Sequence, residues 1–319
     1  MTNFQVYRKT LSYSLVMFLV DIIKLVILVG LTILGFVLFE KFFGMGLAGL
    51  PVGLLVAIIA VVLITIFVSN RIKAAQIAMM AKGVTENALP DHTFKQGFEE
   101  VKGRFGSITA FFFITNAIKR IFRQLGRTIN RIGSAIGGQT GNTITSAIDS
   151  AVQTLIAYLC DCCLAWVMFR KDQNAAKSAC EGAVIFFKHG KTLIRNIGRI
   201  FGMGFLSLLV IGGAFFGLSY LLFTQFPGLF QTLSNEIIAA GGDIPEFVYD
   251  VNMLMIYVAA VLGIVIWSMI HSVLIRPFIL VGVMRNFLLA GQKDMPEEAD
   301  FQEVASKSPR FAKLSESIQ

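Results

Sequence analysis

The fold of this chain is decided by the stretch PVGLLVAIIAVVLITIFVS at residues 51–69, which contains no charged residue. At about 1.5 Å per residue in a helix, this stretch is long enough to cross the roughly 30 Å hydrocarbon layer of a bilayer. Three other stretches are similarly long and apolar, at residues 12–39, 200–223 and 251–275. Together they predict an all-α, polytopic membrane bundle with about four full spans.

The composition of the whole chain supports lipid as its solvent. Of its 319 residues 55% are hydrophobic and only 15% are charged, and the mean hydropathy is +0.71. A soluble domain is about a quarter charged, so this chain lacks the polar surface to cover itself in water. The net charge of +8 is explained by basic cytoplasmic loops. We therefore expect membrane lipids as partners, and no nucleic acid.

The loops differ in charge, and this difference predicts the orientation. Residues 224–250 contain four acidic residues and no Lys or Arg, whereas residues 70–145 contain eleven basic residues. By the positive-inside rule, the basic regions and both termini face the cytoplasm. We expect an integral protein of the cytoplasmic (inner) membrane, with one helical membrane domain over residues 1–292. A polar cytoplasmic tail, partly disordered, should follow over residues 293–319.

The segment at residues 106–169 is apolar in places but flanked by basic residues on both sides. It must therefore enter and leave the membrane on the same side, either as an embedded hairpin or by crossing twice. Crossing twice would place several basic residues outside the cell. We favour an embedded or interfacial hairpin.

Within that segment, residues 118–132 have the pattern of a basic amphipathic helix. Apolar residues fall on one face at helical spacing, and the opposite face carries the basic ones. The basic residues are Lys119, Arg120, Arg123, Arg127 and Arg131. Such a helix lies flat in the headgroup layer, where its cations bind anionic lipid. The alternative is a helix packed on other protein segments with its charges in the cytosol.

Three ionisable residues are candidates for a substrate or ion pathway: Asp149, Asp161 and His271. A carboxylate at membrane depth costs about 3 kcal/mol, so Asp161 needs either a partner or a water-filled cavity. Asp149 lies on nearly the same helical face, twelve residues earlier. The competing interpretations are a shallow position for Asp161 and a structural hydrogen bond for His271.

Small and sulfur-containing residues add few functional predictions. Gly213 and Gly217 form a small-xxx-small face, which favours close helix packing within the chain or dimerisation. The four cysteines should be reduced thiols, and the scattered histidines supply no second ligand pair for a metal. No catalytic or nucleotide-binding motif occurs in the sequence, so we expect neither an enzyme nor a cofactor.

Three blocks of sequence together resemble a known group of proteins. They are FVSNRIKAAQIAMMAKGV at residues 67–84, FRKDQNAAKSACEGAVIFFKHGKTLIRNIGRIFGMGFLSLL at residues 169–209 and HSVLIRPFILVGVMRNFLLAG at residues 271–291. Their order resembles a family of prokaryotic polytopic membrane proteins and, more distantly, the membrane core of choline transporter-like proteins. The resemblance covers about half of the chain and transfers no substrate-binding residue.

These observations lead to two hypotheses for the function. The first is a passive transporter or pore for a small polar or cationic solute, with Asp149 and Asp161 in the embedded hairpin. The second is a membrane-organising or assembly protein, or an accessory subunit, that binds anionic lipid through the basic helix and forms homo-oligomers through its glycine faces.

Overall fold

The computed structural model describes residues 1–133, 142–194, 197–241 and 244–316. These residues form helices joined by short loops and contain no β-strand, which confirms the all-α fold. In chain order the helices are α1 (Asn3–Phe43), α2 (Gly46–Ile64), α3 (Asn70–Thr85), α4 (Thr93–Lys102), α5 (Phe105–Gly133), α6 (Asn142–Phe169), α7 (Ala175–Ile194), α8 (Ile197–Ser207), α9 (Gly213–Phe223), α10 (Pro227–Ala240), α11 (Val251–Ile270), α12 (Arg276–Lys293), α13 (Glu298–Lys307) and α14 (Pro309–Glu316). Short π-helical turns join α2 to α3, α8 to α9 and α11 to α12.

Four helical stretches of the described chain are long and apolar enough to cross a membrane. They are Asn3–Phe43, Ala48–Thr85, Gly202–Phe223 and Val251–Lys293. Each contains or closely matches one of the four predicted spans, so the chain is a polytopic membrane protein. Three of the stretches are 41, 38 and 43 residues long, about 60 Å as a helix and twice the thickness of the hydrocarbon layer.

The chain divides into two compact units, and the division into one membrane domain at residues 1–292 and a cytoplasmic tail stays a prediction. Unit 1 comprises Met1–Ile197 with Pro277–Gln319, and unit 2 comprises Gly198–Arg276. In unit 1, α1 and α2 form an antiparallel hairpin. The remaining helices of unit 1 pack with the N-terminal end of α1 into what we call the helical bundle (α3–α7 and α12–α14).

The bundle has a core of its own, in contrast to the spans. Its largest fully buried side chains are Tyr13, Met79, Met80, Phe111, Phe122, Tyr158, Trp166, Phe287 and Phe311. By contrast, the apolar side chains of α1 beyond Leu15, such as Val26 and Ile33, are about half exposed, as expected for lipid-facing residues. Val6 and Tyr13, near the start of α1, are buried in the bundle. The excess length of α1 is therefore accounted for by protein packing.

The segment at residues 106–169 is a helical hairpin, α5 and α6, but its described side chains are not embedded in lipid. Helix α5 packs against α7, and α6 packs against α3 and α7. Ile118, Ile121 and Trp166 are at most 1% exposed. These side chains are covered by protein and do not face lipid, and whether the segment lies in the membrane or at its interface stays a prediction.

The polar tail is helical, against the expectation of partial disorder. Helices α13 and α14 pack on α7 and α5, and Val304 and Phe311 are fully buried. Lys188 of α7 forms ion pairs with Asp294 and Asp300 at 2.8 and 2.9 Å. Two apolar anchors and this pair of salt bridges hold the tail on the bundle.

Unit 2 is a second helical hairpin with a capping helix. Its arms, the α8–α9 stretch and α11, cross closely at a glycine pair: a Cβ built at Gly263 would lie 2.9 Å from the carbonyl oxygen of Gly212. At one end of the hairpin, α10 packs on α11 through a small core that contains Phe230 and Leu254. The Ser234 hydroxyl donates a hydrogen bond of 2.7 Å to the carbonyl oxygen of Val248, which fixes α10 to the following loop.

Candidate functional site

Asp161 lies in the core of the helical bundle, where it has a cationic partner. Its carboxylate forms an ion pair with the Lys73 ammonium of α3 at 2.5 Å. The Asp161 side chain is 6% exposed and that of Lys73 is 31% exposed. Of the two predicted alternatives, a partner or a water-filled cavity, the structure gives Asp161 a partner, and the pair joins two helices of a protein core. A role in an ion or proton pathway stays a prediction, and the side chain of Asp149 lies outside the described residues.

The cysteines close to Asp161 are buried and reduced. Cys160, Cys162, Cys163 and Cys180 are free thiols. Burial raises the pKa of the Cys160 thiol to about 12, so it is protonated and unreactive at neutral pH. Cys163 marks a close approach of α6 and α7, because a Cβ built at Gly182 would lie 2.6 Å from its sulfur. These thiols fill the core, and among the described residues no three His, Cys, Asp or Glu side chains are grouped as metal ligands.

The basic helix of the sequence analysis is the middle of α5, and its apolar face is covered by protein. The rings of Phe122 and Phe186 of α7 meet edge to face, with centroids 5.2 Å apart. This is the arrangement that was considered as the alternative, a helix packed on other segments. In the structure the face formed by Ile118, Ile121 and Phe122 is covered by protein, and placement of this helix at a lipid surface stays a prediction.

The cations of that helix remain available on its outer side. Arg120 and Arg123 are exposed and Lys119 is half-buried, and the Arg123 guanidinium donates a hydrogen bond of 2.6 Å to Gln153. The side chains of Arg127 and Arg131 lie outside the described residues. Electrostatic binding of anionic headgroups by these five residues stays a prediction.

Gly213 and Gly217 do not mark a helix contact within their own unit. A Cβ built at either position would meet no described atom of unit 2 within 4 Å, and their use in close helix packing or dimerisation stays a prediction. The helix backbones approach each other closely at two other places. These are the Gly212–Gly263 pair in unit 2 and the Gly35–Gly53 pair in the hairpin of α1 and α2. A Cβ built at Gly35 would lie 2.7 Å from the Cα of Gly53.

His271 lies in the π-helical turn between α11 and α12. Its ring contacts that of Trp267, with centroids 5.2 Å apart, and its Nε2 is 3.8 Å from a Cβ built at Gly204. The Trp267 indole N–H donates a hydrogen bond of 3.0 Å to the Ser207 hydroxyl. His271 thus lies at the contact between the two arms of unit 2, and its role in a solute pathway stays a prediction.

Three neighbouring cavities surround the loop at residues 170–174, which joins α6 to α7. Their volumes are about 270, 620 and 630 Å³. Glu100 and Lys171 line both the cavity of 270 Å³ and the cavity of 620 Å³. Gln173 lines both the cavity of 620 Å³ and the cavity of 630 Å³. The Lys171 ammonium binds the Glu100 carboxylate at 3.0 Å. This loop region is thus an indented surface of the described bundle.

Arg104 fixes the position of this loop. Its guanidinium donates hydrogen bonds to the carbonyl oxygens of Val167 at 2.7 Å and Arg170 at 3.2 Å, where α6 ends and its carbonyl groups lack helical partners. Burial lowers the pKa of Arg104, while Glu100 and Asp172 oppose that effect. The composition and spacing of the residues did not indicate this region, although Glu181, an acidic residue among the small apolar residues of α7, is a signal that could have done so.

The fold and these sites define a class of protein: an integral membrane protein with two helical hairpins, one of which continues into a folded helical bundle. Comparison with models of known families, with curated proteins and with solved structures finds no match to this chain. The resemblance to choline transporter-like proteins therefore stays an expectation from the three sequence blocks.

Proposed function

We propose that this chain is a membrane-anchored assembly protein: its hairpins hold the helical bundle at the membrane surface, and the chain associates with further copies of itself. The observation that carries this proposal is the exposure of the spans. Between 0% and 22% of the most apolar part of each span is buried within the chain. A pore or transporter must enclose polar groups between its spans, whereas these surfaces are apolar and free for lipid or for another helix.

The proposed orientation follows from charge. The bundle contains most of the basic residues of the chain, and the loop at residues 224–250 has none. The positive-inside rule then places the bundle and both termini in the cytoplasm, and α10 outside. The membrane is the cytoplasmic membrane in this proposal.

The face at Gly213 and Gly217 supports self-association. Small residues in a span allow the backbones of two helices to approach closely, and these two have no neighbour in unit 2. A second copy of the chain would use the space that they leave open.

Oxidative cross-linking in native membranes tests this proposal, with Gly213→Cys as the probe and Gly30→Cys as the matched control. A Cβ at Gly30 also meets no described atom within 4 Å, but Gly30 has no second glycine one turn away on the same face. The native cysteines are buried and contribute little background. We expect disulfide-linked dimers for Gly213→Cys and few for Gly30→Cys. Equal cross-linking of the two variants, or none, would count against self-association.

Passive transport is the second candidate, and one polar pair in a span favours it. The Lys24 ammonium and the Asp21 carboxylate of α1 are 2.9 Å apart and only 16% and 36% exposed, on a helix that is otherwise lipid-facing. Charged pairs at such depth often line solute pathways. Flux of amines and cations into proteoliposomes separates the two functions. We expect flux equal to that of empty liposomes, and a saturable flux abolished by Asp21→Asn would support transport instead.

A further inference from the structure

A second buried carboxylate in the bundle has no cationic partner. Glu181 of α7 is 5% exposed, and its Oε2 accepts a hydrogen bond of 2.8 Å from the indole N–H of Trp166. Among the described residues no Lys, Arg or His nitrogen lies within 4 Å of its carboxylate. Buried carboxylates are normally paired, because removing an unpaired charge from water costs several kcal/mol. Asp161 follows this rule in the same core, and Glu181 does not.

Glu181 lines the cavity of about 630 Å³ between α7 and the tail helices. The volume is within the range of small-molecule sites. Met295 and Phe301 contribute apolar surface to the same cavity. The cavity is therefore large enough for a ligand with an apolar body and a charged group that reaches Glu181.

The other charged residues of this cavity balance the carboxylate. They are Arg170, Lys177 and Glu298, so the lining holds two cations and two carboxylates and has no net charge. Arg170 is already paired with Asp172, with an Nη2–Oδ2 distance of 3.1 Å. Lys177 lies one helical turn before Glu181, is exposed, and makes no ion pair within 4 Å among the described residues. Among the described residues, the buried Glu181 carboxylate and the exposed Lys177 ammonium of this lining thus make no ion pair within 4 Å.

We propose that this cavity binds a small zwitterion with an apolar body, such as an amino acid with an aliphatic or aromatic side chain. The ligand's ammonium group binds the Glu181 carboxylate, its anionic group binds the Lys177 ammonium, and its side chain packs on Met295 and Phe301. A simple amine would leave Lys177 without a partner and meet Arg170, and a simple acid would be repelled by Glu181. The site is independent of the assembly function, since no residue of the spans takes part.

The test is calorimetric titration of the full chain in nanodiscs with L-leucine and L-phenylalanine. Isopentylamine and 4-methylpentanoate, which each retain one of the two charges of leucine, are the single-charge controls. We expect saturable binding of the amino acids, at least tenfold tighter than binding of either control. Glu181→Gln keeps an oxygen that can accept the Trp166 hydrogen bond, and it should raise the Kd at least tenfold.

Two further variants make the result specific. Lys177→Met changes an exposed residue, and it should also raise the Kd at least tenfold. Glu99→Gln, on the rim of the neighbouring cavity, should leave the Kd unchanged. The proposal is overturned if the wild type binds neither amino acid up to about 10 mM, if isopentylamine binds as tightly as leucine, or if Lys177→Met binds like the wild type.

Discussion

The Lys73–Asp161 ion pair predicts an unequal response to the loss of each partner. The two side chains are 2.5 Å apart, but Lys73 is 31% exposed and Asp161 only 6% exposed. After Asp161→Asn, the long Lys73 side chain can turn its ammonium group into water. After Lys73→Met, the Asp161 carboxylate stays in the core without this cation. We therefore expect Lys73→Met to be the more destabilising change.

The magnitudes follow from the burial of the group that is left behind. Removal of one partner from a buried pair costs about 3–5 kcal/mol when the other charge stays buried, which applies to Lys73→Met. The cost falls to about 1 kcal/mol when the remaining charge can reach solvent, which applies to Asp161→Asn. The free energies of unfolding of the two variants should thus differ by at least about 2 kcal/mol. The double variant Lys73→Met/Asp161→Asn should recover part of the loss of Lys73→Met.

Intrinsic fluorescence during denaturation by SDS provides the assay, because the buried Trp166 lies on the same helix as Asp161. A Trp267→Phe background removes the signal from unit 2, so the transition reports on the bundle alone. Gln153→Leu, at an exposed position of α6, removes only the surface hydrogen bond from Arg123 and is the control for a change on that helix. Equal losses for the two single variants, or a larger loss for Asp161→Asn, would refute the reasoning from burial.

Two other predictions concern the first hairpin and the tail. Gly53→Leu should destabilise the hairpin of α1 and α2, because a Cβ there would lie 2.5 Å from the Leu31 carbonyl oxygen and overpacking costs about 1–3 kcal/mol. Gly30→Leu, where a built Cβ meets no described atom within 4 Å, should leave the melting temperature in detergent unchanged. Equal melting temperatures of the two variants would contradict this prediction. Lys188→Met should release the tail and speed its proteolysis, since Lys188 binds both Asp294 and Asp300. The hydrogen bonds to Asp294 and Asp300 raise the pKa of Lys188, whereas for Asp300 burial is outweighed by the Glu297 amide and Lys188, so that its pKa is lowered. Protection of the tail should thus be lost as the pH falls through the lowered pKa of Asp300 and as it rises through the raised pKa of Lys188. A proteolysis rate of the tail that stays the same as the pH is lowered stepwise from 7 into the acid range, with a protease active at each pH, would contradict this assignment.

The spans could be predicted from the sequence because only lipid accommodates about twenty consecutive apolar residues with so few charges. The bundle could not be predicted in the same way. The apolar face around Ile118 and Phe122 has the same helical spacing whether it meets lipid or protein, and the partner ring of Phe186 lies more than sixty residues further along the chain. Periodicity identifies which side of a helix is apolar, but not what covers it.

At the candidate sites too, the sequence indicates what a residue needs but not which residue meets that need. That Asp161 needs a partner followed from its chemistry, but the identity of Lys73 depended on how α3 packs on α6. Gly213 and Gly217 have the spacing of a contact face, yet the arms of unit 2 meet at Gly212 and Gly263, because the spacing of small residues does not determine which face is used. The position of Glu181 in the sequence indicates a binding site only weakly, because its burial without a cation within 4 Å depends on how the helices of the bundle pack.

The central claim is that the spans face lipid while the hairpin of α5 and α6 is covered by protein. Labelling with a photoactivatable lipid in vesicles, followed by mass spectrometry of the peptides, tests this claim most directly. We expect label on residues 15–43 and 52–68, whose apolar side chains are exposed, and none on residues 108–122 and 156–168. Labelling of Ile121 or Trp166 at the level found for Ile33 would contradict the account.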